Sequence, residues 1–339
     1  MTIIYDLVDP ATLTGYVREL PLPAEVGLNR YLPDILIDDI EATIDSLTRT
    51  NRAATYRAFD AETPIGKRDG FSRSKIAIPP LGQKTQIGEY ETLALRRLQG
   101  GSADALTRQI YDDVDLNARA VQIRAELGRG DVLTDGKFTL TGENGLTTEA
   151  DYGVPGSNIV STGVSWATVA SANVLADLQT WLDVYETNGP CGRILVSRTV
   201  LRHMLQNAGL RALANANGII PSTISTMQLN SILEANGLPP VEVYNGQFDV
   251  GGVTTRPIPV DRIVFLPVNP TDLGYTAWGI TAEALELAEA QSISLDAAPG
   301  LVAVVMKSED PVARWTKVGG TCLPVITNPR RILIADVVL

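Results

Sequence analysis

His203 is the only histidine of the chain, and Cys191 and Cys322 are its only cysteines. A Ser or Cys nucleophile needs a base beside it, so His203 is the one imidazole available for that work. It lies in VLRHMLQN, which has the apolar spacing of an amphipathic helix, and Cys191, in NGPCGR, could pair with it only through tertiary folding. A plain structural role is expected for both. A single histidine removes any multi-histidine metal site, and two distant cysteines make neither a disulfide framework nor a Cys-rich zinc site. Asp113-Val-Asp115-Leu-Asn117 opens like a calcium loop, but Ala118 stands at the sixth position in place of glycine and Arg124 at the twelfth in place of glutamate. The run reads instead as a solvated acidic face of a helix. Asp38 and Asp39 are adjacent carboxylates with no pocket marked around them. The glycine-rich dinucleotide and phosphate-loop signatures and CxxC are absent, so nucleotide and redox chemistry have no sequence support. No catalytic residue, cofactor or metal is expected; the alternative is a soluble mixed α/β enzyme whose active site no motif marks.

The elements around these residues are more informative. The 339 residues, 45 % hydrophobic and 20 % charged, suit a folded protein of two or three domains, and two free cysteines suit a reducing compartment. A net charge of −11 argues against sequence-specific DNA binding, which needs cations for the phosphates. The start has acids where an export signal needs bases, and the longest apolar runs, such as Leu301 to Met306, fall far short of the roughly 20 residues of a membrane span. Trp166, Trp181, Trp278 and Trp315 read as core or interface aromatics.

Charge divides the first hundred residues. Residues 1–47 hold nine acids and two bases, a net −7, and residues 48–97 hold ten bases and five acids, a net +5. Pro21, Pro23 and Pro33 prevent one long helix from Glu19 to Asp34, which reads as an extended arm. Thr48–Phe59 and Ser74–Pro80 are predicted strands around the turn chemistry of Thr63–Gly70, a long β-hairpin too poorly buried to be stable alone. The expectation is that this first hundred residues lacks an intramolecular home and becomes stable on sibling chains. Ser102 can cap a long helix with its stripe at Leu106, Ile110, Val114, Ala118, Val121 and Ala125. It is expected to stop at Gly128 and Gly130, about 26 residues or roughly 39 Å. Asp135–Gly145 reads as a short strand with turns. Further on, helices at Ala172–Glu186, after Ser197, and at Thr226–Ala235 alternate with strands at Arg193–Ser197, Pro240–Asn245, Arg262–Val268, Leu301–Lys307 and Ile332–Val338. The class is α+β with a mixed α/β part.

Acidic arm, β-ribbon, long helix, strand pair and mixed domain is a segment order that resembles the HK97-type coat fold of tailed-phage major capsid proteins, most closely their lambda-like branch. Tyr5–Leu20, Leu32–Ile44, Val132–Gly145 and Ala313–Val338 carry the likeness. The resemblance implies an N-terminal arm (1–45), an extended loop (46–100), a peripheral domain with the spine helix (101–155 and 287–317) and an axial domain (156–286 and 318–339). It also implies hexamers and pentamers in an icosahedral shell around double-stranded DNA held without sequence specificity. The location would be the virion capsid, assembled in the host cytoplasm without a membrane. The expected partners are other copies of the chain, a separate scaffolding protein, since the arm starts at Met1, a portal protein and a decoration protein. Covalent Lys–Asn welding is not expected, although Lys67, Lys75 and Lys84 sit on the ribbon. Contacts between copies are expected to set Arg49, Arg52, Arg57, Lys67, Arg68, Arg73 and Lys75 against acids including Asp38, Asp39 and Glu41.

Overall fold

The computed structural model describes residues 2–3, 8–48, 54, 56–59, 62, 70–98, 103–143, 146–215 and 220–339. The first half runs β1 (Thr2–Ile3), α1 (Pro10–Glu19), β2 (Asp34–Leu36), β3 (Glu41–Thr48), β4 (Gly70–Ala77), β5 (Pro80–Ile87), α2 (Glu89–Leu98), α3 (Ala103–Asp135), β6 (Lys137–Glu143) and β7 (Leu146–Asp151). The second half begins with β8 (Ile159–Ser161), α4 (Val174–Glu186), β9 (Cys191–Ser197), α5 (Arg198–Gln206), α6 (Ala208–Leu213), α7 (Thr226–Ala235) and β10 (Val241–Tyr244). It ends with β11 (Phe248–Val250), β12 (Val253–Thr255), β13 (Arg262–Pro267), β14 (Gly274–Gly279), α8 (Ala282–Glu289), β15 (Val302–Glu309), β16 (Val312–Ile326) and β17 (Leu333–Asp336).

Two sheets organise these elements. The larger runs β1-β15-β16-β14-β2, with β5 also on β16. The 15-residue β16 makes this possible by changing partners along its length: β15 lies against Val312–Gly319, β5 against Arg314–Thr321 and β14 against Thr321–Ile326. The smaller sheet, β10-β9-β13-β17-β8, carries α4, α5 and α7 over a core that includes Trp166, Trp181, Tyr185 and Phe265. Ser197 ends β9 and caps α5, its Oγ accepting from the Val200 N–H at 3.2 Å.

The spine helix α3 is longer than expected, 33 residues or roughly 50 Å. Its stripe from Ile110 to Ala125 is buried on the larger sheet. Gly128 and Gly130 do not end it; they let neighbours approach. A Cβ on Gly130 would lie 2.4 Å from Pro257 Cβ and 2.5 Å from its carbonyl oxygen, and one on Gly128 would lie 3.0 Å from the Phe138 ring. Close packing outweighs a glycine's roughly 1 kcal/mol helix penalty.

The arm needs a larger correction, because residues 8–36 have an intramolecular home. Asp9 caps α1, whose Leu13 and Val17 are buried against β15 and α3, and Thr14 donates to the Ala303 carbonyl. The three prolines do prevent one long helix, but they permit α1 before them and a compact turn with buried Leu28, Tyr31 and Leu32. β2 then joins the sheet in parallel with β14, and β5 joins the same sheet along β16. The hairpin also shifts: its first strand starts at Glu41, before Thr48, and residues 54 and 56–59 are not strand. The turn at residues 63–69 and the Ser102 cap lie outside the described residues.

Candidate assembly surface

Among the described residues β3 and β4 pair only with each other, in register from Glu41 opposite Ala77 to Thr48 opposite Gly70. Their root is set into the main core. Ala42 and Ile78 are buried there, the Ile78 N–H donates to the Ile40 carbonyl at 2.9 Å, and the Tyr275 hydroxyl donates to the Thr43 carbonyl at 3.5 Å. Seven steps of about 3.4 Å then carry the ribbon roughly 24 Å from that root. After β3 in the sequence, Tyr56 and Phe59 have side chains fully open to solvent.

The expected contact residues divide accordingly. Lys75 and Glu41 meet each other across the ribbon at 3.3 Å, both exposed, a geometry that contributes little in water. Arg73 stands opposite Asp45 in register and is exposed, as is Arg57. Asp38 is exposed; Asp39 shapes the approach to β3, its Oδ1 accepting from the N–H groups of Ile40 at 2.7 Å and Glu41 at 3.3 Å. Arg49, Arg52, Lys67 and Arg68 lie outside the described residues.

Sequence reasoning missed the polar hub that holds the arm in place. Glu126 is fully buried on α3, and its Oε1 accepts from the N–H groups of Gly27 (2.6 Å) and Leu28 (2.7 Å) and from the Tyr244 hydroxyl (2.9 Å). Its Oε2 accepts from Arg129 Nη1 at 3.2 Å. Arg129, equally buried, donates Nε to Thr276 Oγ1 and Nη2 to Asp34, whose Oδ1 also accepts from the Trp278 indole at 2.8 Å. One carboxylate and one guanidinium thereby join the arm, the spine helix, β14 and β10. Burial, then the charge and hydrogen bond of Glu126, hold the Tyr244 hydroxyl well above its ordinary titration range. Arg129 was visible as a misfit: it falls four residues after Ala125, on a stripe that is otherwise apolar.

Burial governs the surroundings of both cysteines. Burial pushes the Cys191 thiol up to about 12, with the Leu266 carbonyl 3.4 Å from its Sγ, and pushes Cys322 up to about 12 as well, so both are protonated at neutral pH. His203 is half-buried on α5, and burial followed by the Arg202 charge lowers its pKa. The acidic run on α3 is solvated only in part, Asp115 being exposed and Asp113 and Asn117 buried. Asp113 is buried with its pKa raised by desolvation, Asn117 donates to the Thr316 carbonyl at 3.0 Å, and Asp115 accepts from the Tyr16 hydroxyl. Trp166, Trp181 and Trp278 are buried, while Trp315 is half-buried with the Lys84 ammonium 4.5 Å from its ring centroid. Among the described residues no group of three His, Cys, Asp or Glu could hold a metal ion, and no helix is long and apolar enough to cross a membrane.

A spine helix on a sheet, a projecting two-stranded ribbon and a second α/β sheet define an HK97-type coat fold. The capsid protein of a prophage of E. coli CFT073, described as putative, aligns over 96 % of this chain and 92 % of its own at TM-score 0.59 and 15 % identity. A phage-related protein from Bordetella bronchiseptica RB50 aligns over 97 % of both chains at TM-score 0.58 and 12 % identity, and the capsid of Myoviridae phage XM1 over 94 % of both at 0.50 and 14 %. The chain belongs to the phage major capsid protein E family, whose model matches residues 9–337. No curated protein matches it. It is a capsid-forming structural protein that assembles with other copies of itself, the fold and family expected from the order of its segments.

Proposed function

We propose that the chain is the shell subunit of an icosahedral head, grouped in hexamers and pentamers around double-stranded DNA and without enzymatic activity. The observation that carries this reading is the ribbon, rooted in the core yet, among the described residues, paired with no other strand. A two-stranded ribbon is marginal alone in water, so it needs a surface to lie on. The acidic arm region, net −7, of an adjacent copy complements the net +5 of the loop region. Each exposed ion pair contributes only about 0.2–1 kcal/mol, so contacts through Arg57, Arg73 and their neighbours stay individually weak and correctable. Head-to-tail contacts of this kind close into rings when the rotation permits.

The division into arm (1–45), extended loop (46–100), peripheral domain (101–155 and 287–317) and axial domain (156–286 and 318–339) belongs to the same reading, with β16 crossing from one domain to the other. So do assembly in the host cytoplasm, the separate scaffolding, portal and decoration proteins, and the absence of covalent welding. Negative-stain microscopy of the purified protein tests the core of it. Closed shells are expected from the wild type, and monomers or aberrant particles from a chain with Arg57, Arg73 and Lys75 all changed to Glu. Normal shells from that variant would remove the electrostatic part, and a compact small oligomer from the wild type would remove the shell itself.

A further inference from the structure

A groove of about 340 Å³ opens between the end of α1, β2 and α3. Its walls are Val17, Leu20, Leu22, Leu36, Trp278 and Leu301, and Leu36 leaves 63 % of its surface exposed. The charges around it are already committed. Arg18 donates to the carbonyls of Leu301 (2.9 Å), Ala297 (2.7 Å) and Pro299 (3.0 Å), which fixes one wall, and Asp34 on the floor is held by Arg129 and Trp278. Gly300, at φ +103°, brings that wall against Leu36, where a Cβ would lie 3.1 Å from Leu36 Cδ2. β2 is also an edge strand: Pro33 and Ile37 bond to β14, so by alternation the backbone groups of Asp34 and Leu36 face outward. The groove is thus a preformed apolar slot beside an open strand edge.

The same chain carries the complementary feature, Tyr56 and Phe59, with relative exposures of 106 % and 99 %. Large contiguous apolar exposure marks an interaction site. The slot has room for roughly ten waters' volume, enough to take an aromatic side chain. Between the groove and these aromatics in the chain runs the ribbon, whose eight paired residues span roughly 24 Å. Net charge also attracts in the right sense: residues 1–47, which supply α1 and β2, total −7, and residues 48–97, which hold the aromatics, total +5. We propose that the Tyr56–Phe59 segment of a second copy of this chain seats its aromatics in the groove between α1, β2 and α3, as an apolar plug that anchors the ribbon. This rests on the shell reading above, which supplies the second copy, and it assigns affinity to aromatic burial, leaving to charge the steering of the encounter.

The test mixes full-length chains carrying Leu36→Cys with chains carrying Phe59→Cys, under assembly conditions with mild oxidant. Non-reducing electrophoresis should show a covalent dimer in the mixture and in neither single variant nor the wild type. A Tyr56→Ser/Phe59→Ser chain, altered only at exposed positions, should need at least tenfold more protein to assemble. Particles from the mixture without the dimer overturn the assignment, as does an intrachain disulfide in the doubly substituted chain when the mixture gives none. A cross-linked mixture whose wild type forms no particles would leave the plug standing and sink the shell; neither particles nor cross-link would sink both.

Discussion

Replacing Glu126 should detach the arm from the spine helix before it unfolds anything else. The carboxylate accepts from two backbone N–H groups, one tyrosine hydroxyl and one guanidinium, all out of reach of water. Glu126→Ala leaves the N–H groups of Gly27 and Leu28 without a partner at about 1–3 kcal/mol each, less whatever water enters the vacated space; it leaves the Tyr244 hydroxyl only the Glu25 carbonyl at 3.2 Å, and strips Arg129 of one of its two carboxylates. Breaking a buried charge pair in this way costs about 3–5 kcal/mol. Glu126→Gln keeps one oxygen for Gly27, Leu28 and Tyr244 but turns an amide toward Arg129, so it should cost about half as much. Urea unfolding of the unassembled subunit measures both. Hydrogen exchange localises the effect, with the amides of Gly27 and Leu28 losing protection in the Ala variant first, and limited trypsin digestion should show faster cleavage at Arg30. If the two variants fall within about 1 kcal/mol of wild type, or if Gln costs as much as Ala, the hub does not hold the arm as described.

Two glycines in helices should respond with opposite signs to the same change: Gly15→Ala, where a Cβ meets nothing within 4 Å, should stabilise by up to about 1 kcal/mol, and Gly130→Ala, which drives a Cβ into Pro257, should destabilise by about 1–3 kcal/mol in urea titration. Cys191 and Cys322 should resist a thiol reagent at pH 8 in the native subunit and react at two per chain in urea. Because burial raises both thiols from 9.0 to about 12, the unfolded chain releases these protons first; their contribution to stability is fully present below about pH 9 and is lost as pH rises toward about 12, as an alkaline series of unfolding curves should show. Ser197→Ala removes the α5 cap and the donor to the Val260 carbonyl and should cost about 1–2 kcal/mol, with Ser197→Thr, which keeps the hydroxyl, recovering part of it.

Elements with their own start and stop signals were legible in the residues. Thr226–Ala235 appears at the predicted bounds because Ser225 and Gln228 form a capping box and Asn236-Gly237 ends it. The stripe on α3 is buried as its spacing requires, and a ribbon does form around residues 63–69, but its first strand is Glu41–Thr48 instead of Thr48–Phe59 and its second Gly70–Ala77. The arm was misread because prolines report only which helix cannot form; nothing local says that Leu28 and Leu32 will find a core supplied by residues some 240 and more positions later. The end of α3 was misread for a related reason. Glycine stops a helix where solvent is the neighbour, and continues it where Pro257 must come close.

From its residues alone this chain declares period, capping, turn chemistry and the sign of charge along its length, and these suffice for the order of segments and hence for the coat fold. Glu126, Arg129, Asp34 and Tyr244 became a single hub only when the chain closed on itself, and the slot beside Leu36 exists only because Arg18 ties down the wall that faces it. The difference is one of range. Helix periods and caps are set by neighbours within about four positions, whereas a buried charge is tolerable only if partners about a hundred residues away arrive to satisfy it.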